Sequence, residues 1–222
     1  MNILGDISYK ILILFIVGMA LFFVLGFSLN QELDEKVRSF LESHRSQWRD
    51  MNVPRTDGQI LYDIVVENGY TRALEIGTST GHSGTWIAWA LSKTGGKLIT
   101  IEIDERRYQK ALDNFKEAGL SDYIDARLAD AHELVPEMEG PFDFVFIDAD
   151  KGWYTNYAKA VIPKMEPGGC IAAHNVYQSS RSRWGRQSGT SEYYEFMLEQ
   201  EDFETSILPE SQSGVSVSYK KE

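Results

Sequence analysis

Three clusters of residues in this sequence have types and spacing that could do chemistry. The first is Gly77-Thr78-Ser79-Thr80-Gly81, entered directly from the strand-like run Arg72-Ala73-Leu74-Glu75-Ile76. A glycine-rich turn between a buried strand and a helix start lets backbone N–H groups surround a ligand, because glycine has no Cβ to hold it off. The second is Glu102, at the tip of the next strand-like run in Glu102-Ile103-Asp104. A carboxylate there suits the two hydroxyls of a ribose. These two clusters imply an adenosine-containing cofactor at the top of a parallel sheet. The third cluster is Asp148-Ala149-Asp150-Lys151 after the apolar run Phe142–Ile147, joined by His174-Asn175 after Gly168–Ala173. Charges at the end of an apolar strand are costly to desolvate without partners, so they mark a site.

Other readings compete for the same residues. The loop is not G-x-G-x-x-G, because Ser79 holds the second glycine position, and close pyrophosphate approach is disfavoured. Its letters do spell G-x-S-x-G, and Ser79, Asp148 and His174 fall in the order of a serine hydrolase. That elbow follows several strands and an oxyanion loop, whereas here it ends the first strand. A ligand-free reading makes the glycines a tight turn, Asp148 a cap and Asn175 a turn residue. The joint position of Asp148 and His174-Asn175 at neighbouring strand ends speaks against it.

The elements that must position these residues alternate. Strands are expected near 72–77, 97–103, 123–128, 142–148 and 169–174, and helices near 82–93, 105–118, 131–138 and 154–164. A helix near 190–200 and strands near 203–208 and 213–219 read as a closing hairpin. This alternation gives an α/β fold, a doubly wound and mostly parallel seven-stranded Rossmann-like sheet with helices on both faces. Ahead of it, residues 30–50 read as an amphipathic linker helix carrying Leu33, Val37, Phe40 and Leu41, and residues 51–222 as the catalytic domain. Asp57 is the expected cap of a helix carrying Ile60, Leu61, Ile64 and Val65.

After a short segment over residues 1–10, Ile11 to Leu29 is uncharged and apolar for about 19 residues, the length of a transmembrane helix. A cleaved signal peptide is the alternative; Asp6 spoils its basic start. Lys36, Arg38, Arg45 and Arg49 beyond the run place the domain on the cytoplasmic side of a single-pass anchor. The net charge of −11 argues against nucleic acid as a partner. Cys170, the single cysteine, excludes an internal disulfide and a cysteine metal cluster. The oligomeric state is left open, a homodimer included.

The chain resembles the small S-adenosylmethionine-dependent O-methyltransferases related to catechol O-methyltransferase and caffeoyl-CoA O-methyltransferase. Met51-Asn52-Val53, Gly58-Gln59, Leu74-Glu75-Ile76-Gly77 with Gly81 and Ser83, and Thr100-Ile101-Glu102-Ile103 carry the catechol pattern. Asp148-Ala149-Asp150-Lys151 followed by Tyr154 and Tyr157 is closer to the caffeoyl-CoA type. The resemblance covers roughly residues 45–176. It implies that Met51, Val53, Glu75, Gly77, Gly81 and Ser83 hold the methionine end of S-adenosylmethionine (SAM), Glu102 the ribose, and Asp130 and Ala131 the adenine. Asp148 would touch both cofactor and metal, Lys151 would take or stabilise the substrate proton, and the metal set would be Asp148, His174 and Asn175.

The family pattern has Asp-Asn where this chain has His174-Asn175. Imidazole in place of a carboxylate disfavours Mg²⁺ and favours Zn²⁺, Mn²⁺ or Fe²⁺; otherwise the metal is lost and His174 acts as general base. The implied reaction is methyl transfer to a hydroxyl oxygen of a small aromatic or catechol-like acceptor. A tRNA hydroxyuridine methyltransferase is the alternative within the family. Trp153, Tyr154, Tyr177 and Trp184 could stack on the acceptor, and Arg181, Arg183 and Arg186 could meet an anionic group.

Overall fold

The computed structural model describes residues 30–48, 51–177 and 189–222. Helix α1 covers residues 30–43, followed by α2 (Arg55–Asn68), β1 (Arg72–Ile76), α3 (His82–Thr94), β2 (Lys97–Glu102) and α4 (Glu105–Ala118). Then come β3 (Ile124–Leu128), α5 (Ala131–Glu137), β4 (Phe142–Ile147), α6 (Tyr154–Val161) and β5 (Met165–Ala173). The chain continues through α7 (Gly189–Leu198), β6 (Phe203–Ile207) and β7 (Ser216–Lys220).

Every residue of β4 is buried. A strand with no polar face needs apolar layers on both sides. It has them at the middle of a seven-stranded sheet ordered β3-β2-β1-β4-β5-β7-β6. Strands β1 to β5 pair in parallel, and β7 enters antiparallel between β5 and β6. Successive side chains point to opposite faces. Ala73, Phe144, Phe146, Cys170 and Ala172 therefore pack with Leu61, Trp86 and Leu91, while Leu74, Ile76, Val145, Ile147 and Ile171 pack with Tyr154, Val161 and Tyr193.

Local chemistry sets the element ends. Asp104 caps α4 by accepting from the Arg107 N–H at 3.0 Å, and Gly119 closes it in the left-handed region. Helix α2 starts after Pro54, whose φ of −59° suits an entry to a helix. Asp57 is thus not the expected cap; it lies inside the first turn, wholly buried. Helix α1, expected as a linker, contributes Val37, Phe40 and Leu41 to the core, and Asp34 meets Trp89 and Lys93 of α3.

The expected single-pass anchor needs correction. Among the described residues no helix is long and apolar enough to cross a membrane. The run over residues 11–29 lies outside the described residues. Helix α1, which follows it, places Val37, Phe40 and Leu41 in the core. The fold is therefore a mixed α/β sheet with no membrane-spanning helix among the described residues, and the single-pass membrane location is withdrawn with it.

Candidate functional site

Strand register brings the chemical residues together. Ile76 pairs with both Ile101 and Ile147, and Ile147 pairs with Ala173. One residue further along, the Asp148 N–H donates to Ile76 O at 2.9 Å and the His174 N–H to Ile147 O at 3.1 Å. The Gly77 and Thr78 N–H groups both reach Ile101 O at 3.1 Å. Gly77, Asp148 and His174 thus stand side by side at the carboxyl edge, with Glu102 beside them. Strand order reverses between β1 and β4, the place where an open α/β sheet leaves a crevice.

That crevice holds a cavity of about 420 Å³ lined by Met51, Gly77, Glu102, Asp130, Ala131 and Asp148 among others. Gly77 has φ of 101°, and a Cβ on it would sit 2.5 Å from Asp148 O. Glu102 ties the glycine loop to its strand: Oε2 accepts from the Ser79 N–H at 2.7 Å, and Oε1 from the N–H groups of Ile103 and Asp104 at 3.1 and 2.9 Å. On the far side Asp130 caps α5, and the His132 ring stacks on Trp153 with centroids 4.1 Å apart.

Glu75 lies beneath the loop, wholly buried and absent from the cavity wall. Its Oε2 accepts from Thr100 Oγ1 at 2.5 Å, while its Oε1 has no partner. Burial pushes its pKa up to about 8, against hydrogen bonds from Ser83 and Thr100 that pull it down. Val53, Gly81 and Ser83 are likewise buried and do not line the cavity. Val53 O faces His82 Nδ1 at 2.8 Å, and Gly81 turns the chain into α3 where a Cβ would strike the Phe115 ring. A glycine loop that closes against the Asp148 backbone only because Gly77 lacks a Cβ, with the Glu102 carboxylate on the cavity wall beside it, fits a ligand bearing ribose hydroxyls.

A second cavity, also about 420 Å³, shares Met51, Asp148 and Ala149 with the first and adds Lys151, His174, Asn175 and Ser213. Asp148 Oδ1 accepts from Lys151 Nζ at 2.6 Å, and Oδ2 lies 3.3 Å from His174 Nδ1. His174 Nε2 lies 3.0 Å from Asp57 Oδ2. Asp57 also accepts from the Gln212 and Ser213 N–H groups at 2.9 and 3.2 Å. Burial alone would lower the His174 pKa; hydrogen bonds to Asp148 and Asp57, with their charge, outweigh it and raise the pKa to about 9. For Asp57 burial pulls upward, yet the hydrogen bonds from His174 and Gln212 hold it below the usual carboxylate range.

Some expected partnerships do not form. Ser79 Oγ has no hydrogen-bond partner, and both His174 nitrogens face carboxylates, so the serine–histidine pair of a hydrolase is not made. Asn175 adopts φ of 58° and its Nδ2 points to Ser213 O at 3.5 Å. Among the described residues, no group of three or more His, Cys, Asp or Glu side chains could hold a metal. Trp153 lines neither cavity and meets the first only through its stack on His132, which does line it. Tyr154 is wholly buried, its hydroxyl receiving from Lys151 Nζ at 3.0 Å and donating to His174 O at 3.2 Å. Tyr177 is exposed, and Arg181, Arg183, Trp184 and Arg186 lie outside the described residues. Sequence reading took Asp57 only for a helix cap and passed over His132. Asp57 stands 117 positions before its histidine partner, and no local pattern announces such a pair.

Comparison with known proteins agrees with this geometry. A family model described as O-methyltransferase matches residues 28–183. A catechol O-methyltransferase of Niastella koreensis is 39% identical over 112 residues, covering 49% of this chain and 50% of that protein. Caffeoyl-CoA O-methyltransferase 1 of Eucalyptus globulus is 33% identical over 134 residues, covering 58% and 54%. The chain thus spans about half the length of these curated relatives. Among solved structures, an O-methyltransferase from Bacillus cereus in complex with SAH (S-adenosylhomocysteine) superposes with a TM-score of 0.72 at 24% identity, covering 87% of this chain and 97% of the other. The O-methyltransferase TomG from Streptomyces achromogenes, in complex with SAM, gives 0.71 at 24% identity, with 85% and 90% covered. At that identity these two structures speak for the fold.

Proposed function

The chain belongs to the O-methyltransferase family, and from that premise we propose that it moves the methyl group of SAM to a hydroxyl oxygen of a small hydroxylated aromatic acceptor. The observation that carries this reading is the pair of cavities meeting at Met51, Asp148 and Ala149. Methyl transfer is an in-line displacement, so donor and acceptor must be held end to end and screened from water. Two separate chambers with a shared wall suit that need, and the names of the catechol and caffeoyl-CoA relatives point to phenolic acceptors.

When bound, the cofactor supplies an electrophilic methyl group on a sulfonium. The protein's own part is alignment and charge. Gly77 lets the loop close against the Asp148 backbone, Glu102 sits where ribose hydroxyls would replace its backbone donors, and His132, backed by Trp153, borders the adenine side. Met51 and Asp148 form the boundary between donor and acceptor, and Lys151 presents an ammonium beside the acceptor oxygen.

Calorimetry with SAH on wild type and Glu102→Ala tests the reading. Loss of the carboxylate should weaken binding by about 1–3 kcal/mol. Unchanged affinity would remove Glu102 from the site, and wild type that binds no SAH would remove the reading.

A further inference from the structure

The residues after β5 disagree with the divalent ion that the resemblance implies. A divalent ion needs lone pairs from deprotonated ligands directed at one point. His174 offers none, because Nδ1 faces Asp148 and Nε2 faces Asp57 at 3.3 and 3.0 Å. A neutral imidazole donates from only one nitrogen, so a ring with carboxylates on both sides is held as the two-donor cation. Each Asp148 oxygen already faces a cation, one this ring and the other Lys151. The wholly buried Asp57 completes the arrangement, anchored in turn by two backbone N–H groups of the loop before β7.

We propose that in this chain the Asp57–His174–Asp148 clamp stands where relatives would place a divalent ion, and that the acceptor oxygen is stabilised by the Lys151 ammonium alone. The inference rests on the methyl-transfer reading above. Asp57 and His174 are positioning residues: they hold Asp148, and Asp148 holds Lys151 at the wall of the acceptor cavity. The acceptor's O–H proton leaves to solvent as the hydroxyl binds beside the ammonium, which stays protonated. An oxygen lone pair then forms the O–C bond while the C–S bond breaks and its pair returns to sulfur. A phenolate and a sulfonium become a neutral ether and a neutral thioether.

The substrate class follows from the charge that holds it. A metal chelates two neighbouring oxygens, whereas lysine is a point charge that needs one. The site therefore takes monophenols as well as vicinal diols.

The test is a titration of Mn²⁺ and of Zn²⁺ into SAH-bound protein without acceptor, for wild type and for the double variant Asp57→Asn/His174→Asp. That variant removes the clamp and restores the acid–amide pair of the family pattern. Wild type should show no saturable binding up to about 1 mM of either ion, and the double variant should bind one Mn²⁺ at least about tenfold tighter. Chelator-treated wild type should turn over phenol and catechol within about twofold of untreated protein, well under the roughly tenfold change that 1.36 kcal/mol of barrier represents. Stoichiometric binding to wild type below 1 mM would overturn the proposal, as would a tenfold loss on chelation that Mn²⁺ restores. A folded double variant that binds no better than wild type would overturn the clamp as the cause. If that variant does not fold, the wild-type titration decides alone. Failure of wild type to bind SAH would instead strike the methyl-transfer reading, and the titration would then be read on the free protein.

Discussion

The Asp57 carboxylate, wholly buried near the start of α2, lies 3.0 Å from the ring of His174, which begins the loop after β5. The pair fastens the helix that precedes the sheet to the edge where the chemistry sits. Its ionisation couples fold stability to pH.

For His174 the pKa is raised to about 9 in the fold, above the ordinary histidine value of 6.5. Stability from this group is fully present below that ordinary value and is lost as pH rises through about 9. Thermal melts at constant ionic strength should therefore show Tm falling across that window. Asp57→Asn should melt lower at neutral pH, by the roughly 3–5 kcal/mol expected when one partner of a buried pair is removed, and its fall, which starts from the same ordinary histidine value, should end at lower pH because the folded pKa is raised less. A variant with wild-type Tm and an unchanged pH profile would contradict the clamp.

Glu75 couples to pH in the same direction. Its folded pKa of about 8 lies above the ordinary 4.5, so the unfolded chain loses a proton that the fold retains, and stability declines as pH climbs between those values. Glu75→Gln has no such proton to lose. Its Tm should gain on wild type progressively from pH 5 to pH 8, the window set by those two pKa values. A gap that stays constant with pH would refute the protonated state.

Gly77→Ala should cost both stability and cofactor affinity. The added Cβ meets Asp148 O at 2.5 Å, a backbone atom that cannot rotate away, in a conformation with φ of 101°. A strained backbone of this kind costs about 1–3 kcal/mol. SAH titration and a melting curve check it; near-wild-type values in both would mean the loop has slack.

Trp153→Ala removes the ring stacked on His132 at 4.1 Å. SAH should bind more weakly by about 0.5–1.5 kcal/mol, the worth of an aromatic pair, with Tm little changed because Trp153 is already 37% exposed. An equal affinity would place the stack outside the ligand's reach.

The sequence by itself determined the parallel core and the edge that bears the site. Apolar strands such as Phe142–Ile147 announce two covered faces, and strand ends carrying Gly77, Glu102, Asp148 and His174 follow from local pattern, because period and turn chemistry are encoded within a few neighbouring residues. Only the tertiary structure decided that β7 slips between β5 and β6, since strand order depends on pairing across long loops. It alone separated Glu75, Val53, Gly81 and Ser83, which support the cradle from below, from Gly77 and Glu102, which line it. It alone set Asp57 against His174, two residues that no local pattern joins. A side chain's chemistry is fixed by the charges packed around it, and those arrive from elements far apart in the chain.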